Sequence, residues 1–168
     1  MTNALAPETV AFFRAINADD AQEVSAALDA GMDVDTKDVA GQTGLVFASL
    51  GGHAEVTEVL LEAGASTSVT HNGASDGYPP LHAAAFQGRA AVVKLLLAAG
   101  LDPTAQHEDG LAAFHRACNG KEARHTATVR VFLESGVEAD VQGKAGRSCS
   151  SVAGNAGTRE LLRQWVAP

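Results

Sequence analysis

Glycines recur in this chain at nearly fixed distances, and each closes the same kind of segment: Ala27-Leu28-Asp29-Ala30-Gly31, Leu60-Leu61-Glu62-Ala63-Gly64, Leu96-Leu97-Ala98-Ala99-Gly100 and Phe132-Leu133-Glu134-Ser135-Gly136. From Gly31 the steps are 33, 36 and 36 residues. A second series, Gly41, Gly77, Gly110 and Gly146, steps by 36, 33 and 36. Such a period belongs to short units that cannot bury their apolar faces alone and must stack on copies of themselves.

The stretch from Tyr78 to Gly110 shows the unit most fully. Pro79 and Pro80 fit a turn leading into a first helical turn, and Gly88 breaks the run. Val92, Val93, Leu95, Leu96 and Leu97 make a second apolar helix, and Gly100 sits where a C-cap glycine belongs.

The chain resembles the ankyrin-repeat family. Pro79-Pro80-Leu81-His82-Ala83-Ala84 is similar to the family's Thr-Pro-Leu-His-x-Ala motif, Gly52-His53 to its mid-repeat Gly-His, and Gly100-Leu101-Asp102-Pro103 to its Gly-Ala-Asp-x exit. The resemblance covers nearly the whole chain and implies an all-α solenoid of helix-turn-helix units joined by β-turn or hairpin fingers. It implies partner binding without naming the partner.

At 168 residues, one domain spanning 1–168 is expected. It divides into about five repeats: an N-terminal capping repeat near 7–38, then 39–71, 72–107 and 108–144, and a degenerate C-terminal capping repeat at 145–168. In the first, Val10, Phe12, Phe13 and Ile16 suit an inner helix, Asp19-Asp20 opens the turn, and Val24, Ala27 and Leu28 line the outer helix. Its eight acidic residues against Arg14 and Lys37 read as a solvated cap. In the second, Thr43 can N-cap the inner helix but Val46 replaces the motif histidine; the third keeps His82 and has Pro79 in place of the threonine. The family's threonine–histidine hydrogen bond therefore cannot form within either repeat, and moderate stability is expected.

Two insertions interrupt the period. Gly64 to Gly77 is 13 residues where the corresponding steps elsewhere are 10, which places three extra residues in the polar segment His71 to Gly77. His115 to Gly136 is 21 residues against 18 for His82 to Gly100, which places three more around Gly120 to Thr126, read as a charged, solvated loop. The last repeat, from Gly146 through Ser148-Cys149-Ser150-Ser151 to Trp165, has lost most apolar motif positions.

The formal charge of −8 argues against a general nucleic-acid or anionic-membrane surface, and no apolar run approaches membrane-spanning length. Met1 to Arg14 lacks a basic n-region and carries Glu8, so a secretory signal is not supported. Cys118 and Cys149 give neither zinc spacing nor a disulfide framework, and a reducing, cytoplasmic location is the simplest account.

Chemistry-bearing patterns are weak. His53, His82 and His115 occupy positions where the family uses histidine structurally, while His71, His107 and His125 fall in turns. Core packing accounts for His82, His115 and Cys118 better than metal ligation. Ser148, Ser150 and Ser151 lack a glycine-flanked elbow and a base partner, and the glycine pairs lack the lysine of a phosphate loop. No catalytic residue, metal or cofactor is expected.

The expectation is a monomeric, non-catalytic module that binds a protein partner through its concave face. Counting from each finger glycine, as the family pattern implies, gives two columns of candidate contacts: Gln42, Tyr78, Leu111 and Arg147 one residue on, and Leu50, Phe86, Asn119 and Asn155 nine residues on. Asp76 and Gln87 flank them. A regulatory protein that blocks a partner's active site, or an unrecognised metal-dependent enzyme, are the alternatives.

Overall fold

Helices alternate with sharp glycine turns along the whole of the computed structural model, which describes residues 5–68, 79–143 and 146–166. Among them are ten helices: α1 (Pro7–Asn17), α2 (Ala21–Asp29), α3 (Gly44–Gly51), α4 (Ala54–Glu62), α5 (Pro80–Phe86), α6 (Ala90–Ala98), α7 (Ala113–Asn119), α8 (Ala123–Glu134), α9 (Cys149–Val152) and α10 (Ala156–Val166). The fold is all-α, and the chain's β structure among the described residues is three isolated bridges, Lys37 with Thr43, Gln106 with Ala112 and Gln142 with Ser148. Each bridge closes a finger just before an inner helix.

Local signals start and stop these helices. Pro7 opens α1, with Glu8 favourably placed in its first turn. Asp20 caps α2 by accepting from the Glu23 N–H at 2.9 Å. Gly31, Gly64, Gly100 and Gly136 adopt left-handed φ between 82° and 96° after α2, α4, α6 and α8, the conformation a side chain disfavours. The repeated glycine of the sequence is thus a repeated helix stop.

The first compact unit, Met1–Pro80, holds α1 to α4. Phe12, Ile16, Val24, Leu45, Val56 and Leu60 are fully buried there, and Phe13 stacks edge-on against Phe12 and Phe47. Val10, expected on the buried face of α1, is instead exposed. Helix α3 begins with Gly44, where an added Cβ would lie 2.9 Å from Ile16 Cδ1 and 3.3 Å from Phe12 Cε1. The missing side chain lets α3 approach α1 closely.

The second unit, Leu81–Pro168, holds α6 to α10 and all of α5 after its first residue. Leu81, Val92, Leu96, Phe114, Val129 and Phe132 form its core, with Phe114 and Phe132 edge-to-face at 5.8 Å. Helix α8 has 12 residues where α2, α4 and α6 have 9 each. The three residues inserted before it therefore extend the helix instead of forming a solvated loop. Lys121, Glu122 and Arg124 are exposed, but His125 is buried in the first turn of α8, its Nδ1 accepting from the Glu122 N–H at 3.3 Å and its Nε2 bonded to the Phe86 carbonyl at 3.1 Å. Burial of one imidazole turns the insertion into a brace on the preceding repeat.

The two cysteines also depart from expectation. Cys118 at the end of α7 and Cys149 at the start of α9 are joined by a disulfide, Cα atoms 5.4 Å apart and both residues fully buried. That separation is ordinary for a disulfide. The argument for a reducing location from unpaired cysteines therefore falls. The insertion at His71 to Gly77 lies outside the described residues.

Candidate binding surface

The start of each inner helix carries the motif, and the motif is split between repeats. Thr43 stands at the N-cap of α3 with the extended backbone a cap requires, yet its side chain makes no cap bond, and its buried Oγ1 has no hydrogen-bond partner. The threonine–histidine pairing fails from the other side in the second unit, where His82 Nδ1 and His115 Nδ1 are buried without a hydrogen-bond partner. Pro79 and Ala112 occupy the threonine positions there. The opposite ring nitrogens are engaged: His82 Nε2 lies 3.2 Å from the Leu111 carbonyl and His115 Nε2 3.1 Å from the Val141 carbonyl. Each histidine thus ties an inner helix to the finger that follows it.

Restoring the hydroxyl should raise stability. Ala112 is the N-cap of α7, already extended at φ −79° and ψ 165°, and Ser is the smallest side chain that supplies an oxygen. Ala112→Ser should stabilise the protein by about 1 kcal/mol, read as a higher urea midpoint at unchanged slope. A lower midpoint would mean the site is too tightly packed for the oxygen.

Burial holds the motif imidazoles neutral. His82 is driven down from 6.5 to about 4, chiefly by loss of water, against the favourable Leu111 carbonyl and with smaller contributions from His107 and Arg116 lowering it and Asp109 raising it. His115 is lowered for the same reason, opposed by carbonyls of Val141 and Arg147. Their positions are those of packing groups. Arg116 pairs with Asp109, whose carboxylate also accepts from the Leu111 N–H at 3.1 Å, so the third finger is anchored to α7.

The first finger is held by its own hydrogen bonds. In the first unit Asp38 Oδ1 accepts from the Ala40 N–H at 2.8 Å and the Gln42 N–H at 2.9 Å, and the Asp38 N–H donates to the Gln42 carbonyl at 2.9 Å. This turn presents Val39 to solvent at 80% exposure. Counting single columns from the glycines missed Val39. An apolar residue between Asp38 and Gly41 at a finger tip was the signal that could have found it.

The predicted contacts separate into groups. Phe86 is 47% exposed at the end of α5, Gln87 beside it is half-buried, and Asn119 and Arg147 are exposed. Gln42 and Leu50 are half-buried in the first unit. Leu111 is not a surface contact, being only 7% exposed. Its backbone binds His82 and Asp109, and its Cδ2 lies 3.1 Å from where a Cβ on Gly143 would stand, so the next finger covers it. Asn155 is structural too, its Nδ2 donating to the Gly120 carbonyl at 2.8 Å and its Oδ1 accepting from the Thr158 N–H at 2.8 Å. Tyr78 and Asp76 lie outside the described residues.

A recess of about 470 Å³ opens beside α1 and α2, with Phe12, Ala27 and Met32 in its wall and Glu8, Glu23 and Asp33 among its polar groups. None of the predicted contacts lines it. Among the described residues no group of three or more His, Cys, Asp or Glu side chains is arranged to hold a metal ion. No helix among them is long and apolar enough to cross a membrane.

A family profile described as "Ankyrin repeats (3 copies)" matches the chain over residues 12–107 and again over 70–144. No curated protein matches it.

Proposed function

The chain belongs to the ankyrin-repeat family, and from that premise we propose that it is a non-catalytic module binding a protein partner through its finger tips and the exposed ends of its inner helices. Ankyrin repeats are generally protein–protein interaction modules. The observation that carries the reading here is Phe86, a large aromatic side chain left 47% exposed at an inner-helix end while Phe12, Phe114 and Phe132 are fully buried. Gln87, Asn119 and Arg147 accompany it in the second unit; Val39, Gln42 and Leu50 form the corresponding set in the first. We assign Tyr78 to the column of Gln42 and Arg147 by its register one residue after a finger glycine, with Asp76 flanking it.

The proposal includes a monomer of about five repeats acting in the cytoplasm. There Cys118 and Cys149 would meet thiols, which makes the location testable through their oxidation state.

Truncating an aromatic anchor typically costs on the order of 2 kcal/mol or more of binding, about 30-fold in Kd. Truncating an exposed side chain outside the core changes stability by less than about 0.5 kcal/mol. Phe86→Ala should therefore leave the thermal midpoint nearly unchanged while the partner captured from native cells by the wild-type protein is lost. Equal retention of that partner, or a large fall in midpoint, would remove Phe86 from the contact surface.

A further inference from the structure

We propose that the Cys118–Cys149 bond is a reversible, thiol-sensitive lock that holds the last helix pair, α9 and α10, on the repeat before it. The lock stands where the usual packing is missing. At the leucine position of the motif, Leu45, Leu81 and Phe114 are buried in the earlier repeats, whereas the corresponding Ser150 is exposed. At the histidine position His82 and His115 are buried and reach the next finger, whereas the corresponding Ser151 is exposed and bonds back to Ser148. Helix α9 has four residues, and Cys149 is the one it buries fully. Its Ser148 cap accepts from the Ser151 N–H at 3.3 Å, a bond internal to the helix that does not attach it to anything.

The other attachments of this pair lie elsewhere. Helix α10 buries Leu161, Leu162 and Thr158, and Thr126 on α8 bonds Asn155 and Thr158 at 2.9 Å each. Helices α9 and α7 pack against each other, and the bonds between them are the disulfide and, just past the end of α9, the Gly154 N–H donating to the Cys118 carbonyl at 2.9 Å. Gly154 also sits so close to α7 that an added Cβ would lie 2.2 Å from the Asn119 carbonyl oxygen. Cutting the sulfur bond thus removes the covalent restraint on a helix too short to persist alone, leaving its packing on α7 and the Gln142–Ser148 bridge to hold it.

The chemistry closes with a small-molecule thiol as reductant. Its thiolate attacks one cysteine sulfur, forming a mixed disulfide and releasing the other cysteine as a thiolate that takes up a proton. A second thiolate then displaces the protein sulfur, which is protonated in turn. One disulfide and two small thiols become two cysteine thiols and one small disulfide, with two electrons passed to the protein. A small disulfide reverses the reaction. Both protein sulfurs are buried, so exchange waits on opening of α9.

Reduction also loosens the surface around Asn119 and Arg147, residues adjoining α7 and α9; this consequence rests on the proposed binding role, whereas the lock does not. The test compares the oxidised protein with protein reduced by dithiothreitol, each state verified by mass after thiol alkylation. Amides of α9 and the first turn of α10 should exchange hydrogen faster on reduction, by at least on the order of tenfold, while those of α5 and α6 change little. Oxidised glutathione should restore the slow exchange, and the double variant Cys118→Ala, Cys149→Ala should exchange like the reduced protein and ignore thiols. Identical exchange in the oxidised and reduced wild-type protein, or failure of oxidised glutathione to form the bond, would overturn the proposal. Partner capture equal in the oxidised and reduced protein, with the exchange difference present, would count against the binding role of this surface alone.

Discussion

Acidifying the protein from pH 7 to pH 4 should destabilise the second unit by roughly 3 kcal/mol through His82 alone. The folded chain holds this imidazole neutral, with its pKa driven from 6.5 to about 4 chiefly by burial. Unfolding returns it to water and to its ordinary value. Between pH 6.5 and pH 4 the unfolded chain therefore binds a proton that the native chain refuses, so protonation favours unfolding. Stability is complete above about 6.5, falls as the pH drops through the window, and levels off below the folded value. His115, also lowered by burial, acts in the same direction.

The neighbours of His82 do not cancel this. The His107 ring lies 5.9 Å away, and Arg116 adds a further positive charge that opposes protonation. Asp109 favours protonation but is the weakest of the stated influences. Asp109 is itself lowered: burial raises it, but the Leu111 N–H and Arg116 outweigh that, so its contribution is lost as the pH falls through its own folded value. Urea titrations at pH 7 and pH 4 on wild type and His82→Gln separate the terms, because glutamine keeps a donor toward Leu111 and cannot titrate. The wild type should lose roughly 3 kcal/mol more than the variant. If the variant does not fold, the native His82 resonance decides the matter directly: a midpoint near 6.5 would refute the argument.

The stack of helix pairs was legible because its signals repeat: a leucine three residues before a glycine, as at Leu28, Leu61, Leu97 and Leu133, marks the end of each outer helix from α2 to α8. What did not repeat was harder to read. Cys118 lies eight residues after Gly110 and Cys149 three after Gly146, so equal-register comparison does not bring them together. They meet because α9 is short and Gly154 allows the chain to press against α7. The insertion before α8 looked like a loop from its charge, but Ala123 and Arg124 are good helix formers and His125 finds a carbonyl to bind, so helix wins.

Counting residues also assigned a column without assigning a depth. Leu111 and Arg147 share a register position, yet one is covered by the next finger and the other is exposed. The next finger over Leu111 presents Gly143, which leaves room for the leucine side chain. Thr43 illustrates a different limit. The capping residue and its backbone conformation are present, but without the histidine the hydroxyl remains unpaired.

Phe114→Ala should destabilise the protein by about 3–5 kcal/mol, against almost nothing for Phe86→Ala. The two phenylalanines lie in one unit on successive inner helices, and sequence chemistry alone does not distinguish them. Phe114 occupies the motif's leucine position and is fully buried, its ring edge-to-face with Phe132 at 5.8 Å and with His115 at 6.1 Å. Alanine would remove the whole ring from a close-packed site whose walls, Val129 and Phe132, belong to helix α8 and collapse only partially. The loss of an aromatic pair adds to the cavity cost. Because His115 leans on the same ring and bonds the Val141 carbonyl, the damage should spread to the last finger, where Arg147 stands. Urea denaturation should show a midpoint shift of that size for Phe114→Ala, and capture of the wild-type partner should weaken in proportion to the unfolded fraction. Phe86→Ala should lose the partner while fully folded. A stability loss for Phe86→Ala comparable to that of Phe114→Ala would mean that the exposed ring is part of the packing after all, and the partner surface would then have to be sought at the finger tips.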